Sequence, residues 1–288
     1  MKQIRYFIEG LLLTIFLGLC KMLGVEAASN LGGFIGRNIG PKLAASRKAL
    51  RNLEQALPEK TDEEYQTIIK GMWEHLGRLM AEYPHLKKIA SAQYTELVDK
   101  GVLDTLKSNN QGAIFFGGHL GNWEINASAT FIQKGFEADI TYRAPNNPYV
   151  DKLLMKCRQI GGKIEAYSKS REGGRNMLLA LKNGHSIGIL IDQKYNEGIS
   201  APFFNQQAMT NPVFVQMAQK FKLPLIPICN QRLHGAHSRL TLYPEIKVFD
   251  DNGEPLAVED VIKTANLFLE ERIKQAPEQW LWLHKRWG

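Results

Sequence analysis

The sequence predicts an α/β fold, a largely parallel mixed sheet flanked by helices, with a membrane-associating helical segment at the N-terminus. Beyond residue 94, short apolar runs alternate with stretches of helical periodicity, and this alternation is typical of βαβ units and a parallel sheet. An apolar run also lies near the N-terminus. The chain has 288 residues, 44% of them hydrophobic, which is enough for one large domain with its own core.

The N-terminal segment is apolar from Gly10 to Cys20, a run shorter than the roughly 18 residues that argue for a spanning helix by themselves. A cleaved signal peptide is an alternative, because Lys2 and Arg5 precede the run and Val25-Glu26-Ala27 resembles a cleavage site. Two ordinary core helices are a second alternative.

Two patterns favour a retained segment that spans the membrane or lies in its interface. Small residues recur at every fourth position, which allows close helix packing, at Ala28, Gly32, Gly36 and Gly40. Basic residues then follow, as expected beside anionic lipid on the cytoplasmic side, at Arg37, Lys42, Arg47, Lys48 and Arg51. We therefore expect residues 1–40 to form a membrane-associating helix or hairpin, and residues 41–288 to form the main domain.

The first part of that domain, residues 41–90, is predicted to be helical. Residues 44–57 carry leucines on one face and are followed by Pro58, which ends a helix. Thr61 and Glu64 have capping-box spacing and predict a second helix to about Tyr83.

Residues 91–288 are predicted to form the α/β part, with an antiparallel strand near its C-terminal edge. The predicted strands are 94–98, 113–116, 138–142, 186–191, 225–231 and 239–244. The predicted helices are 102–108, 122–134, 147–160, 171–183, 211–222 and 258–275.

Charge and cysteine content narrow the class of protein. The formal net charge is +7, which suits an anionic partner such as lipid headgroups or a phosphorylated ligand. No long basic run, finger spacing or aromatic RNA-binding pattern is present, so we do not expect nucleic acid. The three cysteines lie far apart in sequence and favour a reducing compartment.

The stretch His119-Leu-Gly-Asn-Trp-Glu124 is the strongest candidate for a functional site. It follows the predicted strand 113–116 and a Gly117-Gly118 turn, and sites of open α/β sheets lie at such strand ends. A histidine there is a candidate general base, with a carboxylate to fix its tautomer.

Two further polar groups follow predicted strands at once. Arg143 follows the strand 138–142, and Asp192-Gln193 follows the strand 186–191. If these strands are parallel, their ends share one rim with His119. Each residue alone has an ordinary reading, a solvated cation for Arg143 and a turn cap for Asp192.

Other readings of the sequence compete with this site. Gly184-His185-Ser186-Ile187-Gly188 matches the nucleophile elbow of serine hydrolases, but the helix precedes the motif and the strand follows it, the reverse of an elbow. A metal site lacks the paired histidines of a helical zinc motif. A membrane-surface binding module would explain the charge but not the three polar strand ends.

The tryptophans near the C-terminus, Trp280, Trp282 and Trp287, suit either a membrane-interface belt or the core.

Several blocks together resemble a known family. These are the His119 to Glu124 motif, residues 142–148, the Asp192-Gln193 block leading to Pro202-Phe203-Phe204, residues 223–227 and the C-terminal block 277–287. They resemble the bacterial lipid A biosynthesis (lauroyl/myristoyl) acyltransferases, within the wider His-x4-Asp/Glu group of lysophospholipid and glycerolipid acyltransferases. The resemblance covers nearly the whole chain. One departure is Asn205, where a glycine often follows the paired aromatics.

The resemblance implies a reaction and its participants. A fatty acyl chain moves from the phosphopantetheine thioester of acyl carrier protein to a hydroxyl of a lipid A precursor, an anionic glycolipid, with no further cofactor and no metal. Another glycolipid or phospholipid acceptor is the alternative. The location implied is the inner membrane, with the catalytic domain facing the cytoplasm.

The chemistry assigns expected roles to the residues. His119 is the expected base and Glu124 the group that holds its other ring nitrogen. Backbone N–H groups of the turn from Gly117 to Asn122, or Arg143, would stabilise the oxyanion. Arg143 would alternatively bind an acceptor phosphate. The expected substrate-binding or oxyanion residues are Arg143, Asp192, Gln193, Asn122 and Gly118.

Overall fold

The computed structural model of the chain describes residues 2–158, 164–168 and 170–287. Its α-helices are α1 (Lys2–Leu23), α2 (Val25–Ile39), α3 (Ser46–Ala56), α4 (Asp62–Glu82), α5 (Leu86–Ile89), α6 (Val102–Ser108), α7 (Asn126–Lys134), α8 (Pro148–Arg158), α9 (Arg171–Lys182), α10 (Val213–Phe221) and α11 (Val258–Gln275). Its strands are β1 (Thr95–Val98), β2 (Ile114–Gly117), β3 (Asp139–Tyr142), β4 (Ala166–Ser168), β5 (Ile187–Leu190), β6 (Ile199–Phe203), β7 (Gln206–Thr210), β8 (Leu225–His234) and β9 (His237–Leu242).

The main sheet confirms the predicted fold class. Its strand order is β1-β9-β8-β2-β5-β3-β4. The pairs β8–β2, β2–β5, β5–β3 and β3–β4 are parallel, and the hairpin β8–β9 is antiparallel. The predicted antiparallel strand is therefore present as β9. It is not the edge strand, because β1 pairs with it in parallel and forms that edge of the sheet.

The two faces of the sheet support separate cores. In β2, Ile114 and Phe116 pack into one core with residues of α3, α4, α10 and α11. Phe115, between them, packs into the other core with residues of α6 and α7. This alternation follows from the two-residue period of a strand, and it explains why the buried strand reads as a continuous apolar run.

The structure adds two elements that the sequence analysis did not predict. The short strand β4 extends the sheet beside β3, and β6 with β7 forms a separate hairpin. Phe204 and Asn205 form its two-residue turn, both with positive φ, as a type I′ turn requires. Asparagine tolerates this left-handed conformation, so the hairpin closes without a glycine after the paired aromatics.

Several predicted elements differ in extent from the observed ones. The helix predicted from residue 122 begins at Asn126, because Trp123–Ile125 form a 3₁₀ turn. The helix predicted for 147–160 is α8, and the last two predicted residues lie outside the described ones. The predicted capping box is confirmed: the Thr61 hydroxyl accepts from the Glu64 N–H, and the Glu64 carboxylate accepts from the Thr61 N–H.

The N-terminal segment forms two helices separated by Gly24, whose φ is 79°. The recurring glycines of α2 face α4: a Cβ added at Gly32 or Gly36 would collide with the backbone of α4 at Gly77 or Trp73. Small residues therefore bring α2 close to another helix of the same chain. The predicted boundary at residue 40 between a membrane segment and the main domain stays a prediction.

The outer surfaces of α1 and α2 are apolar and exposed. Among the described helices, α1 is the one long and apolar enough to cross a membrane, and 17% of its most apolar window is buried. The exposed apolar side chains of the two helices include Phe7, Leu11, Leu12, Ile15, Met22, Phe34 and Ile39. The alternative of two ordinary core helices does not fit this exposure, since core helices bury such side chains.

Candidate active site

The carboxyl ends of three parallel strands share one rim, as the sequence analysis predicted. His119 follows β2, Arg143 follows β3 and Asp192 follows β5, and pairing of β5 with both other strands fixes their common direction. His119 and Asp192 are in contact, and Arg143 lines the same cavity as His119.

The imidazole of His119 is held by Asp192. Its Nδ1 lies 2.7 Å from Oδ1 of Asp192, and the backbone N–H of His119 donates to Oδ2 of the same carboxylate at 2.7 Å. Trp280 donates its indole N–H to Oδ2, also at 2.7 Å. A carboxylate only accepts hydrogen bonds, so the ring proton of neutral His119 lies on Nδ1 and its Nε2 carries a lone pair.

The environment of Asp192 keeps it ionised. Burial alone raises its pKa, but the charge and hydrogen bonds of His119 and the indole N–H of Trp280 outweigh burial and hold the pKa well below its ordinary value. Gly118 allows this carboxylate to approach, since a Cβ there would lie 3.1 Å from Oδ2. Asp192 thus holds the ring of His119 and is not among the residues that line the cavity described below; its expected role as a substrate-binding or oxyanion residue stays a prediction.

Glu124 does not hold the ring of His119, which corrects the expected pairing. Its two oxygens accept from Nε and Nη2 of Arg158 at 2.6 and 2.7 Å, and Oε1 also accepts from the indole of Trp123 at 3.1 Å. Glu124 lies within the 3₁₀ turn Trp123–Ile125. Burial raises the pKa of Glu124, and the Arg158 guanidinium more than offsets this, so the net shift is downward.

Gln193 contacts the second ring nitrogen of His119, and Trp123 packs against the ring. The carboxamide nitrogen of Gln193 lies 3.1 Å from Nε2 of His119 and 2.9 Å from Nε2 of His284. The ring of Trp123 packs edge-on against His119, with centroids 5.1 Å apart. Gln193 therefore lies at the predicted site, next to the atom that would act as a base.

Three backbone N–H groups of the turn from Gly117 to Asn122 donate within the protein, and the expected oxyanion role of the turn stays a prediction. The N–H of His119 donates to Asp192, that of Leu120 to the Gly118 carbonyl and that of Asn122 to the Asn230 side chain. The Asn122 carboxamide also points away from the cavity and donates to Glu82. Asn122 and Gly118 therefore shape the turn, and neither lines the cavity.

A buried polar network holds the turn that carries His119 in place. Arg232 pairs with Glu82 through both terminal nitrogens, at 2.5 and 2.9 Å, and its Nε donates to Nδ1 of His75 at 3.1 Å. Nε2 of His75 is then the protonated nitrogen, and it donates to the Gly121 carbonyl at 3.0 Å. Burial, with the charge of Arg232, lowers the pKa of His75 to about 3, which keeps this imidazole neutral.

A cavity of about 460 Å³ lies between α7 and the sheet, beside His119. Polar residues that line it are His119, Glu124, Arg143, Arg158, Gln193 and His284. Apolar residues of the strands also line it, among them Phe115, Ile140, Leu190, Ile228, Leu240 and Leu242. A ligand with a long apolar chain and a polar reacting group fits this mixed lining.

The competing readings find no support in the geometry. Ser186 is buried at the amino end of β5, at the opposite end of that strand from Asp192, and its hydroxyl accepts from the Ala113 N–H. Within residues 2–158, 164–168 and 170–287, no three His, Cys, Asp or Glu side chains form a metal-binding group. The C-terminal tryptophans are buried, at 3%, 0% and 5% exposure for Trp280, Trp282 and Trp287, so they belong to the core and not to a membrane belt.

Three residues of the site were missed by the analysis of the sequence. Trp280 and His284 come from the C-terminal segment, and Arg158 comes from the end of α8. The spacing of the C-terminal block was visible in the sequence, but its approach to Asp192 depends on tertiary packing. An isolated antiparallel bridge between Leu120 and Trp280 joins that segment to the site.

Comparison with known proteins is consistent with this geometry. The sequence pattern of one family, described as bacterial lipid A biosynthesis acyltransferase, matches residues 1–288. The chain belongs to this family. The resemblance drawn from its motifs is thereby confirmed, and the protein is an acyltransferase.

Curated relatives of this acyltransferase come from Escherichia coli (strain K12). It is 27% identical to the lipid A biosynthesis palmitoleoyltransferase over 265 residues, which cover 88% of this chain and 83% of that protein. It is 26% identical to the lauroyltransferase over 248 residues, 82% of this chain and 76% of that protein. It is 24% identical to the myristoyltransferase over 291 residues, 94% and 85% of the two chains.

The ion pair of this acyltransferase between Glu124 and Arg158 predicts a stability effect. Both side chains are mostly buried, and removing one partner of a buried pair costs about 3–5 kcal/mol because the other charge is left unpaired. We expect Glu124→Ala to lower the free energy of unfolding by about that amount in denaturant titrations. The paired substitution Glu124→Leu with Arg158→Met should recover most of the loss. A double variant as unstable as Glu124→Ala, or less stable, would contradict this.

Proposed function

We propose that this acyltransferase moves a fatty acyl chain from the thioester of acyl carrier protein to a hydroxyl of a lipid A precursor. The observation that carries the proposal is the His119–Asp192 pair beside a cavity that several apolar strand residues line. Membership of the lipid A family supports the acceptor class. The names of the relatives, which mention lauroyl, myristoyl and palmitoleoyl groups, support a fatty acyl donor.

His119 is proposed as the general base. A hydroxyl is a weak nucleophile near neutral pH and needs a base within hydrogen-bond reach. Nε2 of His119 carries the lone pair that can accept the proton, and Asp192 fixes the ring and stabilises the imidazolium that forms when the ring takes a proton.

The proposed transfer balances with these groups alone. The acceptor hydroxyl gives its proton to Nε2 of His119, and its oxygen attacks the thioester carbonyl carbon. The oxyanion then collapses, the new ester C–O bond remains and the C–S bond breaks. Nε2 returns its proton to the leaving thiolate, so no acyl-enzyme forms and no cysteine takes part. The phosphopantetheine thioester belongs to the donor, and no additional cofactor is required.

The apolar part of the cavity is proposed to hold the acyl chain. Its lining residues come from neighbouring strands, on the face of the sheet covered by α7. Burying a fatty chain there removes about 0.8 kcal/mol of unfavourable exposure per CH₂ group. The thioester carbonyl then lies at the polar end, within reach of His119.

Two guanidinium groups are proposed to bind phosphate at the same cavity. Arg143 is exposed, lines the cavity and has no carboxylate partner among the described residues. Arg158 lines it as well, held in place by Glu124. Glu124 would thus be a positioning residue for a cation. The phosphates of a lipid A precursor match planar bidentate donors of this kind.

The proposed base and its carboxylate give a kinetic prediction. We expect His119→Ala to lower kcat about 10³-fold, within the range for loss of a general base. Asp192→Asn should lower kcat by a similar factor, because it removes the acceptor that fixes the tautomer. The measurement is acyl transfer from a lauroyl or myristoyl carrier-protein thioester to lipid acceptor, followed by mass spectrometry, with folding checked by circular dichroism.

A matched control separates this proposal from a general effect of altered histidines. His234→Phe changes an exposed histidine at the β8–β9 turn and should leave kcat unchanged. Transfer at the wild-type rate by His119→Ala would overturn the proposed mechanism. An absence of thiol release by the wild-type protein would overturn the activity itself in favour of a binding module.

We also propose that the protein docks on the cytoplasmic face of the inner membrane through α1 and α2. Their exposed apolar faces form a patch of a kind that monomeric soluble proteins rarely expose. Exposed basic residues flank it, among them Lys2, Arg5, Lys21 and Lys42, and they would meet anionic lipid. Because α1 and α2 also pack against other helices of the chain, we favour an interfacial arrangement over a spanning one.

Membrane docking predicts a loss of vesicle binding in charged variants. Leu12 and Phe34 are 61% and 59% exposed, and Leu12→Glu or Phe34→Glu should weaken binding to anionic vesicles about ten-fold or more by removing apolar contact and adding a charge. Co-sedimentation with phosphatidylglycerol vesicles measures this. Leu267→Glu, at a 49% exposed leucine of α11, is the matched control and should bind normally. Equal loss in the control would contradict docking through α1 and α2.

A further inference from the structure

The carboxamide of Gln193 sets the hydrogen-bonding roles of two imidazoles at once. Its nitrogen contacts Nε2 of His119 at 3.1 Å and Nε2 of His284 at 2.9 Å. An amide nitrogen carries two hydrogens and accepts nothing. Both Nε2 atoms therefore accept, and the proton of His284 lies on its Nδ1.

His284 stays an acceptor under the conditions of the reaction. Burial lowers its pKa to about 4, with a further contribution from the neighbouring charge of His119. The ring therefore remains neutral near pH 7, and formation of an imidazolium at His119 would disfavour its protonation still more.

The backbone around His284 is fixed independently of the cavity. Asn52 of α3 is buried, and its carboxamide donates to the carbonyls of Trp282 and His284 at 2.7 and 2.6 Å. The same C-terminal segment is tied to the site through Trp280 and Asp192. The backbone that carries His284 is therefore held in place where its ring contacts Gln193.

The Gln193 carboxamide presents an N–H donor directly beside Nε2 of His119. The N–H groups of His119, Leu120 and Asn122 all donate within the protein. The N–H of Gln193 that reaches Nε2 of His119 differs, because a hydroxyl that binds Nε2 must displace it. The displaced Gln193 N–H would then be free beside the thioester carbonyl carbon. The second N–H of the same carboxamide would keep its hydrogen bond to His284.

We propose that His284 is a positioning residue, whose neutral ring orients the Gln193 carboxamide so that the displaced N–H donates to the thioester oxyanion. This inference rests on the proposed acyl transfer. The oxyanion oxygen becomes the acceptor in place of Nε2 of His119. In this arrangement His284 acts on the reaction through Gln193.

The test is a double-mutant cycle with His284→Phe and Gln193→Ala. Loss of one oxyanion donor typically lowers kcat about 10²–10³-fold, and we expect about 10²-fold for each single variant with KM changed by less than about three-fold. Because the two side chains act as one unit, the double variant should lose no more than Gln193→Ala alone. His284→Gln, which keeps an acceptor oxygen, should remain within about ten-fold of wild type.

The split between kcat and KM gives a readout that a purely structural role would not produce. The oxyanion forms only in the transition state, so loss of its donor should lower kcat and leave KM almost unchanged. This pattern should be the same in Gln193→Ala, His284→Phe and the double variant. His234→Phe serves as the control and should leave both kcat and KM unchanged.

The outcomes separate this inference from the proposed function. Wild-type kcat in His284→Phe, with His119→Ala inactive, would overturn the role of His284 and leave the base intact. Losses that multiply in the double variant would also overturn it, since they indicate independent roles. Faster transfer by Gln193→Ala would show that the carboxamide only blocks Nε2. Activity of His119→Ala would instead overturn the proposed function. If His284→Phe does not fold, Gln193→Ala and His284→Gln still decide the question.

Discussion

The buried carboxylate of Asp192 is the group on which the site depends. It joins the end of β5 to two other parts of the chain, because it accepts from the backbone and the ring of His119 in the turn after β2 and from the indole of Trp280. An ionised carboxylate without such donors would be too costly to bury. The three donors therefore stabilise the charge, and the charge in turn fixes the turn, the ring and the C-terminal segment in one arrangement.

This arrangement explains why glycines and a helix far from the cavity matter to the site. Gly118 leaves room for the carboxylate, and Gly121, with φ 57°, leaves none for a side chain beside the Asn230 backbone. The carbonyl of Gly121 is held by His75, and Arg232 and Glu82 fix that imidazole in turn. Glu82 also accepts from Ser29 of α2. One continuous polar network thus connects the proposed membrane-docking helix to the turn that carries His119.

Much of the fold follows from local patterns, and part of the site does as well. The alternation of strands and helices predicts the parallel strands β2, β3 and β5, and their common direction brings His119, Arg143 and Asp192 to one rim. The choice between Glu124 and Asp192 as the partner of His119 could not be made from spacing. It depends on a 3₁₀ turn and on which neighbouring strand end reaches Nδ1, and both are set by tertiary packing.

The remaining features depend on contacts distant in sequence. Trp280 and His284 reach the site from the far end of the chain, and the carboxamides that hold the turn and the C-terminal segment come from β8 and α3. The strand β4 has only three residues, too few to show the apolar period that predicts a strand. The β6–β7 hairpin turns at Phe204-Asn205, which is not one of the glycine-containing pairs that indicate a hairpin.

The most direct measurement is proton NMR of the Nδ1–H of His119, observed without substrate in protein labelled with ¹⁵N at histidine. A strong hydrogen bond to a carboxylate moves this resonance far downfield, and His119→Ala assigns it by its disappearance. We expect the resonance to persist in the paired variant Glu124→Leu with Arg158→Met, and to be lost or moved upfield in Asp192→Asn. Persistence in Asp192→Asn, with loss in the paired variant, would show that Glu124 holds the ring and would contradict the role assigned to Asp192.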